Sequence, residues 1–163
     1  MSDLLLLPLQ AVLNRIVRGV ASRQAGLFER LGRHATTTYL VDPTNLPVVL
    51  ILNPDPQAPR LRVFWRASAP AGDCRIAGSF LTLLALVDGR RDGDAVFFSR
   101  DLAVTGDIDA VVTLRNALDD LDVTLVEDII AAAGPLRPPL AAAMQVLRSF
   151  DTGKATHVPS HSP

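Results

Sequence analysis

Three short stretches in the first half of the chain are built like strands, and proline-rich breaks keep them from merging. Thr36 to Val41 is β-branched and aromatic, Val48 to Leu52 is an uninterrupted apolar run, and Leu61 to Ala67 alternates. In the last, Leu61, Val63 and Trp65 fall on one side and Arg62, Phe64 and Arg66 on the other. A period of two is the signature of a strand with one face buried. Asp42-Pro43 is read as the stop of the first stretch, and Asn53 to Pro59, with three prolines, as the loop between the second and third. Strands this close in sequence with short connections pair as an antiparallel meander.

The segments around this meander have a helical period. Pro8 suits the first turn of a helix, where its missing N–H costs nothing. Leu9, Val12, Leu13, Ile16, Val17 and Val20 then recur at helical spacing, with Gln10, Asn14, Arg15 and Arg18 between them. Gly19 weakens the end of that helix, and a second short helix over Gln24 to Leu31 ends at Gly32. The stripe can lie on a membrane surface, on a partner or on its own domain, and the pattern does not choose among them. Leu4 to Leu7 is too short an apolar run to span a bilayer. The preceding residues carry Asp3 and no Lys or Arg, so we read it as a retained segment of a cytoplasmic protein, not a signal peptide.

Beyond the meander, Cys74 to Ala77 is a short strand with Cys74 and Ile76 on one face. Ser79 is placed to cap a helix whose stripe is Phe80, Leu83, Leu84 and Val87, and Gly89 to end it. Val96 to Phe98 is a short apolar piece. Leu102 and Val104 form a last strand closed by Gly106, and Asp107 caps a helix carrying Ile108, Val111, Val112, Arg115 and Leu118. Val123 to Ala133 and Leu136 to Phe150 are helical in pattern. The resulting organisation is an N-terminal helical segment over 1–32, a domain over 33–150 and an aperiodic tail over 151–163. The fold class is α+β.

With 163 residues, 48% of them hydrophobic, one domain can bury a sizeable core. Sixteen Lys and Arg against seventeen Asp and Glu leave a net charge of -1 and no electrostatic reason to expect nucleic acid. The chain lacks a glycine-rich phosphate loop and a nucleophile elbow. His157 and His161 lie in the tail without companion ligands, so no metal site and no cofactor are expected. Asp119, Asp120 and Asp122, with Glu127 and Asp128, read as solvated loop residues; an acid–base pair at Asp119 and Asp120 is the alternative. Cys74 reads as a small buried strand residue, or as a nucleophile only if a base stands beside it. What remains is apolar surface in excess: helices that each follow a short strand can close over one sheet face and leave an apolar cavity, or simply a filled core.

Residues 97–107, Phe-Phe-Ser-Arg-Asp-Leu-Ala-Val-Thr-Gly-Asp, resemble the hallmark of the sterol-carrier-type domain of UbiT proteins. There a phenylalanine pair and a basic residue precede a short strand and a Gly-Asp that opens a helix. Cys74-Arg75-Ile76-Ala77-Gly78 and Leu61-Arg62-Val63-Phe64-Trp65 resemble two further strands of that domain, and Leu114 to Asp119 the helix after Gly-Asp, so that the resemblance spans about residues 30 to 130. It implies a five-stranded, mostly antiparallel sheet covered on one face by helices around an apolar tunnel, with an extra N-terminal amphipathic helix. It implies a non-catalytic accessory factor of oxygen-independent ubiquinone biosynthesis that binds prenylquinone intermediates or phospholipid and works with UbiU- and UbiV-like proteins, in contact with the inner face of the membrane. The expected lining is Val63, Trp65, Ile76, Phe80, Leu83, Leu84, Phe97, Leu102, Val104, Val111, Leu114 and Leu118, with Arg100 or Arg115 at the ligand's head group. A generic lipid-transfer module and a protein-interaction domain are the alternatives.

Overall fold

A computed structural model of the chain describes residues 3–87 and 99–119. A 3-10 turn, Asp3–Leu6, leads into helix α1, Leu7–Arg23, with Pro8 in its first turn. Gly19 does not end α1, because Ile16, Val17 and Val20 are buried on either side of it. Their burial outweighs the roughly 1 kcal/mol that a mid-helix glycine costs. A short helix α2, Ala25–Glu29, follows, and Gly32 turns the chain at a φ of +51 into a 3-10 turn, Gly32–Thr36.

The strands are β1, Tyr39–Pro43; β2, Val48–Asn53; β3, Arg60–Trp65; β4, Cys74–Gly78; and β5, Leu102–Gly106. They form one sheet in the order β3-β2-β1-β4-β5. The meander β1-β2-β3 is antiparallel as expected, β4 pairs with β1 in parallel, and β5 closes antiparallel on β4. Helix α3, Phe80–Val87, follows β4, and helix α4, Ile108–Asp119, follows β5. Both begin on the expected caps: Ser79 Oγ accepts from Thr82 N at 3.1 Å, and Asp107 Oδ1 from Ala110 N at 3.0 Å. Gly106 is required where it stands. Its φ is +83, and a Cβ there would sit 2.3 Å from the carbonyl oxygen of Asp73.

Register assigns the faces. Tyr39, Val41, Leu50, Leu52, Leu61, Val63, Trp65, Cys74, Ile76, Leu102 and Val104 share the face under the helices. Leu40, Asp42, Val49, Ile51, Phe64, Arg75 and Ala77 share the other. The side chains under the helices form two apolar clusters. The larger joins α1, α2, α3 and α4 to β1 and β4; the smaller gathers Leu6 and Leu13 over Val63, with Val48, Leu50, Leu61 and Trp65 at its margin.

Two expectations are corrected here. Asp42-Pro43 does not stop β1, which runs through both residues. The ladder with β2 ends at Val41, so the N–H that Pro43 lacks would face a neighbour already gone, while Thr44 N still bonds Gly78 O at 2.8 Å on the β4 side. The stripe of α1 does not lie open to a membrane or partner: Leu13, Ile16, Val17 and Val20 are buried against the domain and Val12 is half-buried, leaving only Leu9 of the expected set exposed. By length and composition the whole of Asp3–Arg23 is long and apolar enough to cross a membrane. In the folded chain its stripe is used within the domain.

Asp42 is 2% exposed, in the middle of the sheet on the face away from the helices. Arg66, turned back just after β3, and Arg75 from β4 both donate to its carboxylate, Arg75 Nε at 3.0 Å. Arg66 also donates to the carbonyls of Pro43 and Leu46. Burial pushes the Asp42 carboxyl up, but the hydrogen bonds from Arg75 and Arg66, and then their charges, outweigh it and hold the group below the usual carboxylate range. A depressed carboxylate contributes stability that is present above its unfolded pKa of about 3.9 and is lost as pH falls through the folded value. Asp42→Asn is therefore expected to cost about 2 to 3 kcal/mol near neutral pH, discounted because both arginines are partly exposed. Thermal melts would check this: the gap between variant and wild type should narrow as pH drops below about 4.

Candidate functional site

The region where α3 and α4 lie over β4 and β5 is the strongest candidate for a ligand chamber. Ile76, Leu83, Val111 and Leu114 are buried there in one apolar cluster, and Leu102, Val104 and Leu118 pack against it half-buried, as do Leu86 and Val87. Where α4 meets the cluster it presents Ala110 and Ala117, both buried and both small. Seven of the twelve expected lining residues are thus brought together. Val63 and Trp65 are not: they lie in the separate cluster beneath α1, at the far side of the sheet. Phe80 and Leu84, one turn apart on α3, are half-buried outside both clusters. Phe97 falls outside the described residues.

The proposed head-group residues sit on different elements. Arg100 is exposed in the turn before β5. Arg115 is half-buried on α4 and forms a 2.6 Å ion pair with Asp119 one turn on. Asp119 is thereby an ion-pair partner; Asp120, the other half of the acidic pair, lies outside the described residues. An open depression of about 450 Å³ lies beside α4, lined by Arg30, Thr113, Asn116 and Ala117. Three of those four side chains are polar or charged, so it suits water better than a hydrocarbon chain.

Polar contacts pin the start of α4. The guanidinium of Arg33 bonds the Asp109 carboxylate, and His34 Nε2 lies 3.0 Å from the same oxygen, with its Nδ1 3.7 Å from Asp107. Hydrogen bonds from Arg33 and then His34 hold Asp109 below the usual carboxylate range. Tyr39 is wholly buried below them, and its hydroxyl donates between the carbonyls of Ala110 at 3.3 Å and His34 at 3.4 Å. Burial raises the Tyr39 phenol far above its ordinary range. His34 belongs to this contact with the acidic start of α4. The sequence signal was His34 itself, an isolated histidine in the body of the chain, but nothing in its spacing named Asp107 and Asp109 as partners.

Cys74 lies beside Tyr39 in the same cluster. Burial, and then the charges of Asp107 and Asp73, push its thiol up to about 11. A thiol so held is a poor nucleophile at neutral pH, which supports the structural reading of this residue. Iodoacetamide is expected to alkylate the folded protein at least about a hundredfold more slowly than a free thiol at neutral pH, and at the free rate after unfolding in denaturant. Labelling kinetics followed by intact mass would check it.

Among the described residues no group of His, Cys, Asp and Glu is arranged to hold a metal ion. The model of the SCP-2 sterol transfer family matches residues 13–119. That span runs from the middle of α1 to the end of α4 and includes the whole sheet. No curated protein matches the chain at a significant level. Among solved structures, the UbiJ-SCP2 ubiquinone synthesis protein superposes with a TM-score of 0.50 at 23% identity, over 73% of this chain and 92% of that one. Sterol carrier protein 2 of Yarrowia lipolytica aligns at 15% identity and a TM-score of 0.44, over 66% and 86% of the two chains. Sterol carrier protein domain 2 of Helicoverpa armigera aligns at 13% and 0.44, over 72% and 91%. The match over 13–119 makes the chain a member of the SCP-2 sterol transfer family, a lipid-binding and transfer domain.

Proposed function

We propose that this protein is a non-catalytic lipid-binding accessory factor. In this reading it takes a prenylquinone intermediate or a phospholipid between α3, α4 and the β4–β5 half of the sheet and serves ubiquinone biosynthesis in the manner of UbiT proteins. The observation that carries the reading is the half-buried apolar rim. Leu86, Val87, Leu102, Val104 and Leu118 are packed against a buried cluster on one side and incompletely covered on the other. An apolar chain laid there finishes their burial, and each CH₂ removed from water contributes about 0.8 kcal/mol, so an isoprenoid or acyl tail offsets its own ordering cost. The sterol-transfer family supplies the ligand class. The ubiquinone connection rests on the likeness of residues 97–107 to UbiT proteins; a protein of similar fold, UbiJ-SCP2, is itself a ubiquinone synthesis protein. Cytoplasmic residence with access to the inner membrane face, and UbiU- and UbiV-like partners, belong to the same proposal.

Native mass spectrometry of protein purified from its host, with organic extraction, tests the ligand directly. The expected result is a co-purifying quinone, prenylated phenol or phospholipid. Val104→Trp and Leu118→Trp, which fill the rim, are expected to lower uptake by at least about tenfold with the thermal melt preserved, whereas Val48→Phe in the cluster under α1 leaves uptake unchanged. A protein that arrives empty and takes up neither quinones nor phospholipids on titration would instead favour an interaction domain with a filled core. Capture of UbiU- and UbiV-like proteins separates the ubiquinone role from carriage for another pathway.

A further inference from the structure

The two edges of the sheet are finished differently. At β3, Gln10 takes the place of a neighbouring strand: its Nε2 donates to Leu61 O at 2.8 Å and its Oε1 accepts from Val63 N at 2.9 Å. Arg60 and Arg62 stand exposed on that same strand, and charged side chains on an edge discourage strand addition. β5 has neither protection. It pairs on one side, with β4, and its sequence Leu-Ala-Val-Thr-Gly carries no charge and no proline.

The alternation of the ladder shows which backbone groups of β5 face out. Asp107 N donates to Asp73 O at 3.1 Å, and on the other side of β4 Thr44 N donates to Gly78 O at 2.8 Å. With Cys74 opposite Gly106, these bonds direct the backbone groups of Ala103 and Thr105 toward β4 and those of Leu102, Val104 and Gly106 outward. Leu102 N turns back to Ser99 O at 3.4 Å. Val104, at the centre of the strand, presents both its N–H and its C=O to the open edge, which makes β5 a template for a further strand.

We infer that β5 is the docking edge for β5 of a second copy of this chain, the two strands running antiparallel about a two-fold axis at Val104. The occupant follows from self-complementarity. In this register all five residues overlap: Val104 bonds its own counterpart in both directions, Leu102 lies opposite Gly106, and Ala103 opposite Thr105. The side chains agree with it. On the face away from the helices Ala103 and Thr105 are exposed and small, so neither bulk nor charge holds the copies apart. On the helix face the half-buried Val104 side chains meet at the axis. Ile108, just beyond β5, is 56% exposed, and among the described residues it is the exposed large hydrophobic outside the N-terminal segment. In the pair it falls opposite Arg100 of the second copy. Asp101 falls opposite the second copy's Asp107 at each end, and the adjoining Arg100 offsets that pair of like charges. The contact is short, so the dimer belongs to the weak, exchanging class, with a Kd on the order of 10 µM. The inference goes beyond the lipid-carrier reading and does not depend on it, because it uses the backbone of an edge strand and not the ligand chamber.

Sedimentation velocity of the full chain reads the oligomeric state. Wild type is expected to be mostly dimeric at about 100 µM and to dissociate on dilution below about 10 µM. Ala103→Lys/Thr105→Lys, at exposed positions away from the helices, sets like charges directly opposite each other at two places in the pair. It should weaken the dimer at least about tenfold with the thermal melt unchanged. Disulfide trapping reads the register. Ala103→Cys mixed with Thr105→Cys in a glutathione redox buffer should give the mixed covalent dimer, because Cα atoms so paired lie about 4.5 Å apart. The buried Cys74 stays out of the exchange. Wild type that is monomeric at about 100 µM, or a lysine variant that dimerises as wild type does, overturns the inference. So does a mixture that cross-links no faster than either variant alone. A dimer dispersed by Leu4→Ser/Leu5→Ser/Leu7→Ser and not by the lysines overturns it too, by moving the contact to the N-terminal segment.

Discussion

The meander and the β4–β5 pair are joined along one seam, Tyr39–Pro43 running parallel to Cys74–Gly78, and both faces of the sheet depend on it. The seam brings together segments some 35 residues apart in sequence (Tyr39 opposite Cys74), so it forms only after a loop has been closed at an entropic cost. Side-chain and backbone bonds hold its open end. Asp73 Oδ2 accepts from Thr38 N at 2.7 Å, Asp73 N donates to Thr38 O at 2.9 Å, and the Asp73 carbonyl receives Asp107 N at 3.1 Å. One residue thus ties the starts of β1, β4 and α4 together. The close approach of β5 to Asp73 is also why position 106 must be glycine. On the helix side the seam carries Tyr39 and Cys74; on the other it carries Asp42 between two arginines.

The sheet order then divides the helix-covered face. α1 and the turn before it lie over β3 and pack Leu13 and Leu6 against Val63, with Leu50 and Leu61 at the margin. α3 and α4 lie over the other half, where β4 and β5 present Ile76, Leu102 and Val104. In the first half Leu13 of α1 and Leu6 of the turn before it are buried over Val63, and Val48, Leu50, Leu61 and Trp65 stay half-buried at the margin. In the second, the alanines at 110 and 117 take little volume; Ile76, Leu83, Val111 and Leu114 are buried with them, and Leu102, Val104 and Leu118 stay half-buried. The proposed ligand chamber thus depends on small residues on α4 as much as on apolar residues of the sheet.

Much of this was legible in the residues. Period two in Leu61 to Trp65 assigned faces correctly, the short connections made the meander, and Ser79 and Asp107 marked helix starts because a side-chain oxygen three residues ahead of an N–H has a definite partner. What was illegible depends on neighbours remote in sequence. Whether Asp42-Pro43 ends a strand turns on which adjacent strand has already stopped, and Asp42 needs Arg66 and Arg75 to be tolerable where it is. Val63 and Trp65 point to the same face as Ile76 and Val104, yet alternation along a strand cannot say which helix will cover which part of that face. Gln10 looked like one polar residue on an amphipathic helix; only the lateral position of β3 makes it the partner of an edge strand.

The sheet also sets the N-terminal turn and the half-buried rim apart. Leu6 and Gln10 are fixed at β3, one edge, and the rim lies toward β5, the other, four strand spacings or about 19 Å away. Positions so far apart, with no shared side chains, respond to substitution almost independently. Gln10 and Leu6 join the N-terminal segment to the edge strand by directional bonds and buried contact, so that segment keeps a fixed orientation to the whole sheet.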